Sequence, residues 1–327
     1  LQNRDAPDPG SFIGSGKAQE IKELITANDC DLAVFDNELS PSQMRNLTEA
    51  LGVKVLDRSG LILDIFAGRA QTKEGRLQVE LAQYQYLLPR LTGMWTHLVR
   101  QTASGGKSPI GTRGPGETQR ETDRRHIRRK IQKLQEELED VRRVRGTQRR
   151  RRQKNEMPSV ALVGYTNAGK STLLNALTGA GIHTGDRLFD TLDTTTRRLE
   201  LDDTLEVLLS DTVGFIRKLP TQLVAAFKAT LEELNYADLI LHVIDVSNPD
   251  WMDQLRVTDS LIRELGVETT PRIEVYNKCD RCAGMELPRK SDAVCISAAT
   301  GEGLEDLTKR MFRLLTAGGK TGGFRLP

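Results

Sequence analysis

The run Gly164-Tyr165-Thr166-Asn167-Ala168-Gly169-Lys170-Ser171 fits the pattern G-x-x-x-x-G-K-[ST], and Thr172 follows it. Glycines let a backbone wrap a phosphate, and loop amides at a helix N-terminus favour the anion. In this pattern Lys170 reaches the β- and γ-phosphates and Ser171 offers its hydroxyl to Mg²⁺. Asp211-Thr212-Val213-Gly214 follows a hydrophobic run. An aspartate at a strand end can hold Mg²⁺ directly or through water, and Gly214 can bring a backbone amide to the γ-phosphate. Between these lies Phe189-Asp190-Thr191-Leu192-Asp193, followed by three more threonines. One threonine here is expected to complete the Mg²⁺ shell. Spacing does not choose among Thr191, Thr194, Thr195 and Thr196.

Asn277-Lys278-Cys279-Asp280 carries the base-reading chemistry. A carboxylate at Asp280 can accept from both N1–H and N2–H₂ of guanine. Adenine has no such donor pair, and a carboxylate left unpaired against it penalises the wrong base. GTP is therefore expected over ATP. Ser297-Ala298 follows the last strand, where the Ala298 amide is placed to meet guanine O6.

These residues need a scaffold, and the pattern supplies one. From residue 158 onward, strands are expected at 159–163, 204–210, 237–246, 272–276 and 293–296. Helices are expected at 170–178, 221–234, 252–265 and 304–315. Alternation of this kind is a doubly wound α/β domain. Residues 1–72 read as a smaller α/β unit, with strands at 32–35, 54–56 and 61–66 and helices at 18–27 and 41–51. Ser40 before Pro41 is an expected N-cap. Residues 73–155 read as a hairpin: a helix at 74–92, a Gly-rich loop at 101–116 and a long helix from 117. In that helix Ile127, Ile131, Leu134, Leu138 and Val141 form a 4-3-4-3 seam. An antiparallel pairing with the 74–92 helix accounts for it. Residues 149–156 read as a polar linker, 156–316 as the nucleotide domain and 317–327 as a flexible tail.

The net charge of +2, from 47 Lys+Arg and 45 Asp+Glu, argues at first against nucleic acid. It conceals an uneven distribution: residues 117–154 hold 15 basic and 7 acidic residues. Blocks of like charge are candidate nucleic-acid surfaces, and also common as solvated helix faces. Aromatics at 5% are too sparse for single-strand stacking platforms. No apolar run reaches the ~20 residues of a membrane span. Four cysteines are too few for a disulfide scaffold, which favours a reducing cytosol. Cys279 and Cys282 form a C-x-x-C with no second pair or nearby histidine, so no zinc site is expected. Gly14-Ser15-Gly16-Lys17 reads as a turn before a helix.

The chain resembles the HflX family of ribosome-associated GTPases, within the Obg–HflX group. The resemblance rests on GYTNAGKST (164–172), FDTLD (189–193), DTVGFI (211–216) and NKCD (277–280). More distinctive are GSGKAQEI (14–21), DRSGLILDIFAGRA (57–70), EGRLQVELAQ (74–83) and IGTRGPGETQRETDRR (110–125). It implies a Ras-like P-loop GTPase domain and makes Thr191 the switch threonine, with Lys170, Thr191 and Gly214 serving catalysis. It further implies a cytoplasmic monomer that binds the large (50S) subunit and its rRNA, splits or rescues stalled 70S ribosomes, and meets membranes only through ribosomes. The Gly-rich loop is then the tip reaching the peptidyl-transferase region.

Against the family pattern, Thr194 replaces a common proline, the sequence is expected to begin inside the N-terminal domain after an initial strand, and it ends soon after the GTPase domain where some members carry a further C-terminal domain. Position 215 is phenylalanine where Ras-like enzymes place the glutamine that orients water, so slow intrinsic hydrolysis is expected. Asn167 matches a position that binds K⁺ in some related GTPases; an ordinary loop asparagine is the other reading. Two other functions stay open from the residues: a nucleotide-regulated RNA chaperone, and a signalling GTPase whose basic helix docks a protein.

Overall fold

Ser40 caps the helix that Pro41 opens, as their types predict: its hydroxyl accepts from the Gln43 amide, and the Gln43 side chain accepts from the Ser40 amide. The computed structural model describes residues 6–91, 115–154, 157–179, 195–217, 232–282 and 293–317. The chain divides into two units, Leu1–Gly68 with Leu77–Leu138 and Arg69–Arg76 with Glu139–Pro327.

In the first unit, Leu32–Phe35 (β1) and Lys54–Asp57 (β2) pair in parallel. Ser15–Ala27 (α1) and Pro41–Leu51 (α2) close over a core of Ala18, Leu39, Leu47, Leu51 and Val55. Gly14 stands at the N-cap of α1, which is the turn expected there. The strand expected at 61–66 is instead part of a helix, Arg58–Arg69 (α3). Its buried residues Ser59, Ile62, Leu63 and Phe66 recur at helical spacing. Asp57 starts it, accepting the Gly60 amide at 2.7 Å in the manner of an N-cap.

Lys73–Leu87 (α4) and Pro115–Lys154 (α5) are the expected hairpin helices. Leu134 and Leu138 of the seam are buried, and Lys130 Nζ lies 3.4 Å from Glu80 Oε1. The polar linker expected from residue 149 is not observed: α5 continues through Lys154. Arginine is a good helix former, and no Gly or Pro interrupts residues 147–154. Most of the Gly-rich loop, residues 101–114, lies outside the described residues.

The second unit holds a six-stranded sheet in the order β4-β5-β3-β6-β7-β8. The strands are Ser159–Gly164 (β3), Thr195–Asp202 (β4), Leu205–Asp211 (β5), Leu239–Asp245 (β6), Arg272–Asn277 (β7) and Ala293–Cys295 (β8). All neighbours are parallel except β4 with β5. Lys170–Thr178 (α6), Trp251–Glu264 (α7) and Leu304–Ala317 (α8) cover the sheet. β3 splits its residues between two cores. Val160 and Leu162 join Leu173, Leu241, Val275 and Met311, whereas Ala161 and Val163 join Phe215, Ile240 and Ile262. β6 is buried throughout, as a central parallel strand requires. The expected helix at 221–234 and the tail from 318 fall outside the described residues, except that Glu232–Tyr236 forms a short 3-10 turn.

The sheet order reverses around β3, with β5 on one side and β6 on the other. In such sheets the crevice beyond the carboxyl ends of the strands at the reversal is the ligand position. The 164–171 loop, Asp211–Gly214 and Asn277–Asp280 lie at the carboxyl ends of β3, β5 and β7 at that edge.

Candidate guanine-nucleotide site

The phosphate loop runs from Gly164 at the end of β3 to Gly169, the N-cap of α6. It needs residues tolerant of left-handed backbone at two points: Asn167 has φ 62° and Gly169 φ 90°. Asparagine is one of the few side-chain-bearing residues at ease there. A Cβ on Gly169 would sit 2.3 Å from Asn277 Nδ2, so glycine is required for space as well as conformation.

The loop is tied to the segment after β5. The Thr166 amide donates to the Phe215 carbonyl at 2.7 Å, and the Phe215 amide to the Gly164 carbonyl at 3.1 Å. Thr212 Oγ1 donates to the Leu162 carbonyl at 2.6 Å, and Val213 is buried. Gly214 lies against the loop so closely that a Cβ would be 2.8 Å from Thr166 Cα and 3.1 Å from Lys170 Nζ. The Phe215 ring is buried in the sheet core. The Tyr165 hydroxyl accepts the Arg217 amide at 3.1 Å, and the Arg217 guanidinium pairs with Asp253 at 2.6 Å.

Lys170 is buried, its ammonium donating to the Gly164 and Tyr165 carbonyls at 3.3 and 3.1 Å. Burial pushes its pKa down, and the negative charge of Asp211 opposes that shift. Ser171 Oγ donates to Asp211 Oδ2 at 2.5 Å. A hydroxyl and a carboxylate this close, beside the phosphate loop, form an oxygen donor set that suits Mg²⁺. Thr172 is half-buried in the first turn of α6. Phe189, Asp190, Thr191, Leu192 and Asp193 lie outside the described residues. β4 begins at Thr195, directly opposite Asp211 in the antiparallel pair.

At the base end, Asn277 is buried and bonds in two directions. Its Nδ2 donates to the Ala168 carbonyl at 2.8 Å, and its Oδ1 accepts the Ala298 amide at 3.0 Å. The Ala298 amide, expected at guanine O6, has Asn277 Oδ1 as its acceptor here. A buried carbonyl needs a donor, and Asn277 Oδ1 takes the Ala298 N–H, which can meet guanine O6 only by sharing that hydrogen. Ser297 is fully buried, its hydroxyl accepting from the Thr300 amide. Asp280 is exposed on a one-turn 3-10 helix, Cys279–Arg281, at the rim.

Sequence reasoning names Lys278 but misses its partner, Asp245. Lys278, with φ 65°, places Nζ 2.8 Å from Asp245 Oδ2 and 3.0 Å from the Asn167 carbonyl. Asp245 also accepts from the Ser247 amide and hydroxyl. The available signal was a carboxylate closing an apolar strand, as Asp211 does. Among the described residues no group of three or more His, Cys, Asp or Glu could hold a metal ion by itself. No helix among them is long and apolar enough to cross a membrane.

A phosphate loop at the reversal of the sheet, bonded to D-T-V-G on one side and N-K-x-D on the other, defines a P-loop GTPase. Three families match in succession: GTP-binding GTPase N-terminal over residues 1–67, GTP-binding GTPase Middle Region over 69–152, and 50S ribosome-binding GTPase over 159–278. The chain is 52% identical over 314 residues to the GTPase HflX of Caldanaerobacter subterraneus subsp. tengcongensis, covering 96% of this chain and 72% of that protein. To the GTPase HflX of Escherichia coli K12 it is 47% identical over 332 residues, covering 99% and 76%. It belongs to the HflX GTPase family. A GTP-binding protein from Sulfolobus solfataricus, solved in complex with GDP, matches with 27% identity and a TM-score of 0.51, over 96% of this chain and 89% of that one.

Proposed function

We propose that this GTPase binds the large (50S) ribosomal subunit in its GTP state and promotes splitting or rescue of stalled 70S ribosomes. The observation that carries this reading is the match of the nucleotide-binding unit to the 50S ribosome-binding GTPases. The basic helix α5 supports it, because a charged helix suits rRNA phosphates.

Within the site, the amides of residues 164–172 and the Lys170 ammonium hold the β- and γ-phosphates, and Gly214 presents its amide to the γ-phosphate. Ser171, Asp211 and Thr191 hold Mg²⁺, which neutralises charge on the transferring phosphoryl. Thr191 is four residues before Thr195, so it stays within roughly 14 Å of it at full extension. Asp280 reads the guanine edge, with Asn277, Ser297 and Ala298 shaping the wall behind it. Phe189, Asp190, Leu192 and Asp193 carry Thr191 into place.

The Phe215 ring is committed to the core and cannot orient water, so hydrolysis is slow until the ribosome completes the site. Asn167 has a conformational reason to be asparagine, and hydrolysis is expected at equal rates in KCl and NaCl. A clear excess in KCl assigns it a K⁺ ligand role instead.

Co-sedimentation with large subunits tests the reading. Pelleting is expected with a non-hydrolysable GTP analogue and not with GDP; equal pelleting in both overturns a GTP-gated switch.

A further inference from the structure

Three of the chain's four cysteines meet beside the base-reading loop. Cys279 occupies the free position of N-K-x-D, Cys282 follows three residues later, and Cys295 ends β8 two residues before Ser297. The fourth, Cys30, belongs to the other unit.

The sheet register brings the three together. Cys295 stands opposite Tyr276 in the parallel pair of β7 and β8, and residues paired in this way project to the same face. On that face Tyr276 packs with Ile244, Trp251 and Cys282, and Cys279 and Ala293 lie against the cluster. The Cys279 amide donates to the Ile296 carbonyl at 3.2 Å, which ties the loop to the end of β8. The Cys279 thiol donates to the Tyr276 carbonyl at 3.1 Å and is in side-chain contact with the thiol of Cys295. The Cys282 thiol is turned to the Lys278 carbonyl at 3.5 Å. These thiols do not make a zinc site: among the described residues no group of three or more ligands could hold a metal ion. The chemistry open to two adjacent thiols is exchange with a disulfide.

The thiols differ in access. Cys295 is exposed and Cys279 half-buried. Burial, with Cys295 beside it, pushes the Cys279 pKa up, so that thiol stays protonated and is a poor first nucleophile. Cys282 is buried, and burial raises its pKa too. Cys295 therefore reacts first and Cys279 second.

We propose that Cys279 and Cys295 form a dithiol modification site that a small-molecule disulfide closes into a protein disulfide, lowering the affinity for guanine nucleotide. The Cys295 thiolate attacks one sulfur of the small disulfide, forming a mixed disulfide and releasing a thiolate, which takes up the proton that Cys295 gave to solvent. The Cys279 sulfur then attacks the Cys295 sulfur, and the second small thiol leaves with the Cys279 proton. The protein loses two hydrogens and two electrons, and the small disulfide gains them. Disulfides that form in a reducing compartment are of this transient, responsive kind.

Closure reaches the nucleotide site through what flanks each sulfur. An S–S bond of about 2.0 Å is far shorter than a non-bonded contact between thiols, and a disulfide sulfur has no hydrogen to give the Tyr276 carbonyl. Cys279 shares its 3-10 turn with Asp280, directly after the left-handed Lys278. Drawing Cys279 toward β8 shifts Asp280 against Ser297 and Ala298. The proposal rests on the reading of Asp280 as the guanine-edge acceptor.

The test uses the full chain carrying Cys30→Ser, which leaves the three clustered thiols. Equilibration with glutathione disulfide is expected to remove two thiols per chain, and peptide mass mapping to link Cys279 to Cys295. GDP affinity is expected to fall about tenfold, the worth of one hydrogen bond to a charged group, and to return with dithiothreitol. Coupling is reciprocal, so saturating GDP is expected to oppose closure by the same factor. Adding Cys295→Ser is expected to abolish the affinity loss. A mixed disulfide that stays on Cys295, a link between Cys279 and Cys282, an unchanged thiol count, or a closed disulfide with unchanged GDP affinity overturns the proposal. An equal affinity loss in the Cys295→Ser chain does so too. The base reading fails on its own terms, if Asp280→Asn keeps its preference for GTP; thiol count, linkage and GDP affinity still decide the disulfide.

Discussion

Asn277 Nδ2 donates to the Ala168 carbonyl at 2.8 Å, joining the base-reading strand to the phosphate loop across 109 residues of sequence. The same side chain accepts the Ala298 amide, so one buried residue holds three loops in register. Asn277→Ala leaves a buried carbonyl and a buried amide without those partners, each costing about 1–3 kcal/mol. GDP and GTP affinities are expected to fall together by at least about tenfold, measured by displacement of a fluorescent guanine nucleotide. Selective loss of GTP alone would show that Asn277 acts on the γ-phosphate side instead.

Asp280→Asn exchanges an acceptor for a donor at the guanine edge. Xanthine presents an oxygen where guanine presents its N2 amine, so the variant is expected to lose GTP and gain xanthosine triphosphate. Competition between the two nucleotides reads this directly. A variant that still prefers GTP removes Asp280 from the base site.

Gly214→Ala puts a methyl 2.8 Å from Thr166 Cα and 3.1 Å from Lys170 Nζ. Backbone cannot yield cheaply at that distance, so the segment must move off the phosphate loop. GDP affinity is expected to persist while single-turnover hydrolysis drops by about tenfold or more, the cost of losing one well-placed amide. Wild-type hydrolysis in the variant excludes Gly214 from the γ-phosphate contact.

The nucleotide site was legible because its residues are constrained by chemistry and spacing together: Gly169, Lys170, Asp211 and Asn277 could be read without coordinates. What failed depended on tertiary context. The run Leu61-Ile62-Leu63-Asp64-Ile65-Phe66 is apolar enough for either a buried strand or a buried helix, and periodicity cannot separate them. Asp57 decides for the helix, through a cap visible in sequence only to a reader who already suspects one. β4 escaped notice because it is an edge strand in which only Leu199 is buried. Its Thr-Thr-Arg-Arg start gives no alternation to read. The bond from the Ala298 amide to Asn277 Oδ1 could not be read for a different reason: which acceptor takes an amide hydrogen is a matter of three-dimensional proximity.

Asp57 is fully buried and accepts from the Gly60 amide, the Leu39 amide, the Tyr86 hydroxyl and Arg90 Nη2 at 2.7, 3.3, 2.7 and 3.1 Å. The Arg90 guanidinium also lies 3.6 Å from the centre of the Tyr86 ring. Burial, with the Asp57 carboxylate beside it, pushes the Tyr86 phenol's pKa up. Asp57→Asn leaves the guanidinium without its counter-charge in a largely dry site. Urea unfolding is expected to show a loss on the order of 3 kcal/mol, with nucleotide affinity unchanged. A loss below about 1 kcal/mol makes the cluster an ordinary hydrogen-bond site.

Lys170 links function to instability in the nucleotide-free protein. Burial holds its pKa below the ordinary 10.5, so the charged form is disfavoured on folding. In the pH window between the folded value and 10.5 the unfolded chain binds more protons, so stability rises with pH there; below the folded value the penalty is present in full. Lys170→Met removes that penalty but also the bonds to the Gly164 and Tyr165 carbonyls. Replacing a buried charge by an apolar chain of similar length is neutral to stabilising. The variant's melting temperature without nucleotide is therefore expected to equal or exceed the wild type's near neutral pH, with the advantage shrinking as pH approaches 10.5. Its GDP affinity is expected to fall by about tenfold to a hundredfold, the worth of a charged hydrogen bond to phosphate. Paired thermal melts across pH, with and without GDP, separate the two effects. A variant that melts lower than wild type at every pH shows that Lys170 stabilises the empty site instead of straining it.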